Sequence, residues 1–334
     1  MAIMTTPSGL GNLSLTRVIK NSGVQHALRA YLPQTRRYLA EINRSVCNEL
    51  KIAPSPWVKR HNRYACVGTA FDYLVGLLWA NKSDTSTFEK LFQRVIERME
   101  SKCVIHVSVR AGTIKRISPL GDPETTFSLR QSLRDLILSE LPSVRNQKTG
   151  KRPRDFFRGL GLLADLDAMA RSAAVPVPTW ISSSKFRGAN DLREALRKHY
   201  PDQFVDELQL LIRAAHEDLP SGLVEYNPIF GARAGRIAVG ADGDLIIDDL
   251  LLELKVSIKP FQPHHLWQLL GYAALDANRG NQRIRRAGLY NPRYRGTPWS
   301  QPIDRLVGEM GGTDFERFRR WFNADIEKTL LKAA

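Results

Sequence analysis

Apolar positions in the first fifty residues recur at helical spacing: Leu15, Val18 and Ile19, then Leu28 and Leu32, then Leu39, Ile42 and Val46. The pattern predicts a helical N-terminal segment over 1–60, with Pro54 and Pro56 marking a loop. A stretch rich in Ala, Leu and aromatic residues predicts a helix over 69–79. Phe88, Leu91, Phe92, Val95, Ile96 and Met99 predict another over 87–101, and residues 103–109 alternate as a short strand would. Helical patterns follow over 155–172, 189–199 and 202–216. The last third changes period. It predicts a hairpin, a helix over 263–276, a strand over 288–291 and a terminal helix near 313–331. No internal repeat or low-complexity tract interrupts this order.

The hairpin segment, GADGDLIIDDLLLELKVS over 240–257, is where chemistry concentrates. Two apolar runs, 245–247 and 250–252, flank Asp248 and Asp249, which read as the turn. With a two-residue turn there, Asp244 faces Glu253 and Asp242 faces Lys255. Side chains alternate along a strand, so all four share one sheet face, while Leu252, Leu254 and Val256 point to the other and into a core. Three carboxylates that close repel one another unless a positive charge lies between them. Mg²⁺ supplies it, because it takes carboxylate oxygens, keeps several waters, activates water and neutralises a phosphate. The alternative is a solvated polar face on an edge hairpin.

Asp244, an aliphatic strand and then Glu253-Leu254-Lys255 resemble the core of the PD-(D/E)XK nuclease superfamily. Ala241-Asp242 stands where a Pro-Asp would, so the choice between Asp242 and Asp244 as main metal ligand stays open. The 263–276 stretch, PHHLWQLLGYAALD, reads as a buried helix entered through Pro263. On it Gln268 and Tyr272 lie one turn apart, similar to the Q-x-x-x-Y motif of the RecB-like branch. VGTAFDYL over 67–74 is similar to the first helix of that branch, with Asp72 in the place of its metal-site acid. The same acid would serve equally as a favourable charge near a helix start.

The resemblance implies an α/β fold: a PD-(D/E)XK nuclease-like mixed central sheet flanked by helices, with a large α-helical insertion. The core would take its first helix from 61–84, carry a mostly helical insertion over 85–225, and resume over 226–334. The implied activity is hydrolysis of phosphodiester bonds, in DNA before RNA. Asp244 and Glu253 would hold Mg²⁺, with Mn²⁺ as a substitute, helped by the Leu254 carbonyl and by Asp242 and Asp72. Lys255 would act on the water or the transition state, and Gln268 and Tyr272 would shape the substrate side. A nuclease fold that only binds nucleic acid, or serves as an assembly subunit, is the rival reading.

Charge fits a polyanionic partner. The chain of 334 residues carries a net charge of +15 and has a pI near 9.9. Arg283, Arg285, Arg286, Arg293 and Arg295 interleave with Tyr290 and Tyr294, as a phosphate-tracking groove with stacking platforms would. Lys148, Lys151, Arg152 and Arg154 form a second basic stretch, a loop or the entrance to a helix. Cys47, Cys66 and Cys103 are too few and too far apart to hold an iron–sulfur cluster, and read as reduced thiols of a cytoplasmic protein. No apolar run approaches the ~18 residues of a membrane span, and the N-terminus lacks a secretory pattern. No phosphate-binding G-x-x-x-x-G-K-[ST] loop is present, so a helicase motor would have to be a separate protein partner.

Overall fold

The computed structural model describes residues 13–79, 89, 92–93, 95–97, 104–108, 113–117, 123–146, 153–171, 179–182, 186, 188–230, 232–234, 237–280, 283–295 and 298–333. The chain divides into two compact units. One combines Met1–Lys51 with Ala215–Ala334, and the other is Ile52–Ala214.

The chain begins with strand β1 (Leu13–Ser14) and helices α1 (Leu15–Lys20), α2 (Ser22–Tyr31) and α3 (Thr35–Val46). Ser14 caps α1 by accepting the Arg17 N–H, and Asn21 caps α2 by accepting the Gly23 and Val24 N–H groups. The apolar stripe predicted over this segment is buried at Leu15, Val18, Ile19, Leu28, Leu32, Leu39 and Ile42.

The Ile52–Ala214 unit is mostly helical. It contains α4 (Pro56–Arg60), α5 (Tyr64–Trp79), α6 (Pro123–Asn146), α7 (Arg154–Arg171), α8 (Thr179–Ser182), α9 (Ala189–His199) and most of α10 (Asp202–Asp218). Its strands β2 (Val104–Ser108) and β3 (Thr113–Ile117) pair antiparallel. Helix α6 has no counterpart among the elements predicted from the sequence, although Leu129, Leu133, Leu136, Ile137, Leu141 and Val144 give it a buried face. Its polar residues and Pro142 mask that periodicity. Of the 141–158 stretch, expected as a basic loop or a helix entrance, residues up to Asn146 end α6 and those from Arg154 begin α7, while 147–152 lie outside the described residues.

The other unit holds a five-stranded mixed sheet, so the molecule is α/β. Short strands β4 (Val224–Tyr226), β5 (Ala232–Ala234) and β6 (Ile237–Gly240) precede the hairpin of β7 (Leu245–Ile247) and β8 (Leu250–Leu254). Helix α11 (Pro263–Asn278), strands β9 (Arg286–Tyr290) and β10 (Trp299–Pro302), and helices α12 (Ile303–Glu309) and α13 (Phe315–Ala333) follow. The sheet order is β10-β9-β8-β7-β4. Among the described residues of this sheet the β8–β9 pair alone is parallel, and α11 makes the crossover that such a pair requires. A separate small sheet has the order β1-β6-β5.

The core of this unit lies between the sheet and α11. Ile246, Leu251, Ala287 and Leu289 face Leu266, Leu270 and Ala274, and α1–α3 contribute Leu15, Val18, Leu28 and Leu39. Helix α1 packs on α11 at Gly271, where an added Cβ would stand 3.0 Å from the Leu15 side chain. Within the 61–84 segment, assigned from sequence to the first helix of the core, α5 lies in the Ile52–Ala214 unit, and residues 80–84 lie outside the described residues. Among the described residues, no helix is long and apolar enough to cross a membrane.

Candidate active site

The hairpin register is the one the turn at Asp248 and Asp249 dictates: Leu245 pairs with Leu252, Ile246 with Leu251 and Ile247 with Leu250. Extending it by one step sets Asp244 against Glu253. Strands β4 and β9 flank the hairpin, and β8 is buried along its whole length. The charged positions therefore do not form the solvated face of an edge hairpin. They share the face of Ile246 and Leu251, which is the side covered by α11. On the opposite face Leu252 and Leu254 are buried as expected, while Val256 is half-buried.

Asp244, Glu253 and Lys255 come together. The Lys255 ammonium lies 2.7 Å from Glu253 Oε1 and 3.7 Å from Asp244 Oδ2, and donates to the Leu254 carbonyl at 2.9 Å. Asp244 Oδ2 also accepts the Leu254 N–H at 2.7 Å. Glu253 is 2% exposed, and its second oxygen, Oε2, is buried without a hydrogen-bond partner. Burial pushes the Glu253 carboxyl up from 4.5 to about 7. Lys255 pulls against this rise and Asp244 adds to it.

Helix α11 places Gln268 and Tyr272 beside this group. Both are buried, and both hydrogen-bond to Thr16 of α1; the Gln268 amide donates to Thr16 Oγ1 at 2.9 Å. The Tyr272 phenol is pushed well above its ordinary range by burial first, and then by the charges of Glu253, Asp244 and Asp242. Asp242 is exposed, and it adds its charge to this cluster from the margin. The Tyr272 ring stacks on Phe230, with centroids 5.4 Å apart.

Sequence reasoning missed Thr16 and Lys20. No local signal marks them, because α1 reaches the site only through tertiary packing on α11. Burial lowers the His264 imidazole pKa, and the charges of Lys20 and Lys255 lower it further. His265 falls to about 2 through burial, then Lys255, His264 and Lys20, and its Nδ1 accepts the Gln262 N–H at 3.1 Å. The Nδ1 lone pair of His265 is therefore committed to the backbone at the start of α11.

The remaining expected residues are spread over both units. Asp72 belongs to the Ile52–Ala214 unit, where its charge acts on Tyr73 and Arg171. Arg283 pairs with Asp276 and Glu225, Arg286 with Asp249, and Arg295 with Glu49. Arg293 is fully buried, and exposed Arg285 forms no ion pair among the described residues. Arg154 pairs with Asp202 and Asp206. Lys148, Lys151 and Arg152 lie outside the described residues, as does Cys103; Cys47 and Cys66 are free thiols.

Among the described residues, no three His, Cys, Asp or Glu side chains cluster as a ready metal cage. The hairpin offers two carboxylates and the Leu254 carbonyl, all hard oxygen donors. The orphaned Glu253 Oε2 is an acceptor in need of a cation or a donor. This set suits Mg²⁺, which typically uses one or two carboxylates and retains water. No protein-family model, curated protein or solved structure matches the chain.

Proposed function

We propose that the protein is a Mg²⁺-dependent nuclease that hydrolyses phosphodiester bonds, with DNA as its preferred substrate, by the chemistry of the PD-(D/E)XK superfamily and its RecB-like branch. One observation carries the reading: a carboxylate buried in the middle strand of the sheet, with one oxygen on a lysine and the other unsatisfied, opposite a second acid. A purely structural ion pair would have no use for the second acid and the orphaned oxygen.

Asp244 and Glu253, with the Leu254 carbonyl, would hold the metal, and Mn²⁺ would substitute. Bound there, the ion supplies an activated water and neutralises charge on the scissile phosphate. The Leu254 N–H fixes one Asp244 oxygen and leaves the other for the ion. Lys255 stands within 3.7 Å of both carboxylates, where it would orient the attacking water and meet negative charge as it develops. Thr16 locks Gln268 and Tyr272 in position, so the substrate side is set before binding.

The test incubates plasmid and linear DNA with the protein in Mg²⁺, Mn²⁺ or chelator. Cleavage should need a divalent ion and disappear in Glu253→Gln and Asp244→Asn, with thermal unfolding still cooperative in both. Full activity in both variants, from protein free of contaminating nuclease, overturns the assignment. Binding without cleavage by the wild type, in every divalent ion, would make the chain a nucleic-acid-binding or assembly subunit.

A further inference from the structure

A cleft of about 480 Å³ opens to solvent between α2, α3 and the start of α11. Asn43 fixes one wall. Its amide donates to the Phe261 carbonyl and its carbonyl accepts the Phe261 N–H, both at 3.0 Å. Buried Trp267 forms part of the floor and donates its indole N–H to Thr35 Oγ1 at 3.4 Å. Wall and floor thus belong to the core, and little has to be ordered when something binds.

The lining carries charge of one sign. Arg29 of α2 and Arg36 of α3 are exposed and line the cleft with Gln25 and His264, and no carboxylate does so among the described residues. Neither arginine has an ion pair among the described residues; Arg29 donates to Gln25 Oε1 at 3.1 Å. Arg283, Arg286 and Arg295 differ, because carboxylates within the fold already meet their charges. The cleft reaches toward the hairpin site along α11: His264, on its lining, lies one helical turn before Gln268.

We infer that this cleft carries the sugar–phosphate backbone of a nucleic-acid strand to or from the catalytic hairpin, with Arg29 and Arg36 contacting its phosphates; this rests on the nuclease reading above. A guanidinium with no carboxylate partner keeps its charge and most of its donors for a phosphate. A rigid trough with positive charge along its length follows a backbone without reading sequence.

The experiment measures anisotropy of a short fluorescent DNA, single-stranded and as duplex, with the full-length protein in chelator across a salt series. Arg29→Gln/Arg36→Gln should make the slope of log affinity against log salt shallower by about 0.7–0.9 for each phosphate that is no longer neutralised, and should raise KM for cleavage. Arg317→Gln/Arg320→Gln on α13 removes the same charge from ion-paired positions and should leave the slope as in the wild type. An unchanged slope in the natively folded Arg29/Arg36 variant, while the wild type binds and cuts DNA, overturns the cleft and spares the nuclease reading. A wild type that neither binds nor cuts DNA overturns both.

Discussion

Desolvation raises the Glu253 carboxyl against the attraction of the neighbouring Lys255 ammonium. Its carboxyl titrates at about 7 in the folded protein and near 4.5 when unfolded. Between those values the folded state binds more protons. Its contribution to stability is complete below the lower value, declines as pH rises through the upper one, and is level above. In chelator, the melting temperature is therefore expected to fall between about pH 5 and about pH 8, by the equivalent of a few kcal/mol. Glu253→Gln, which cannot ionise, should flatten that fall. A wild-type profile as flat as the variant's would show that the carboxylate is solvated. Asp244, Glu253 and Lys255 were legible in the sequence because strand alternation fixes which side chains share a face. Thr16 and Lys20 were not, since a threonine and a lysine on a short amphipathic helix look the same whether they face a site or water.

The hairpin shows how a register can be read even where the turn residues are weak by composition. Two apolar runs around two acids admit one pairing, and the strands adopt it. Asp-Asp is a weak turn by composition, and it works here through bonding from outside the hairpin. Asp248 takes a left-handed φ of 55°, which aspartate tolerates better than most residues. Its carboxylate accepts the Leu223 N–H and its own N–H donates to the Leu223 carbonyl, each at 2.9 Å, tying the turn to the residue before β4. Gly222 leaves room for that carboxylate, since a Cβ there would collide with it. Asp248→Ala should then cost about 1–2 kcal/mol in urea unfolding, from the missing side-chain hydrogen bond and a strained φ, whereas Asp248→Asn should retain most of the stability. Equal losses in both variants would mean that charge, rather than the hydrogen bond, holds the turn. Helix α6 marks the opposite limit, where a real apolar stripe was hidden by polar neighbours and a proline.

The pairing of distant segments was the least legible feature. The stripes on α1–α3 announce buried faces without saying what buries them. Thr16 meets Gln268 across 252 positions and Thr35 meets Trp267 across 232, and no local pattern encodes such distances. The same folding-back brings the two edges of the long insertion together. At the exit, Lys51 donates its N–H to the Arg293 carbonyl at 2.8 Å, and its ammonium lies 3.2 Å from Glu217, just past the point of return. Closing a loop costs entropy that grows only with the logarithm of its length, so two stitched ends accept a long segment or a short one. A chain with a few Gly and Ser residues in place of Ile52–Ala214 is expected to unfold cooperatively, with the hairpin amides still protected from hydrogen exchange; loss of that protection would show that the sheet depends on the removed segment. Lys51 and Glu217 thus make a doorway through which one module can be exchanged for another without shifting the register of the hairpin strands.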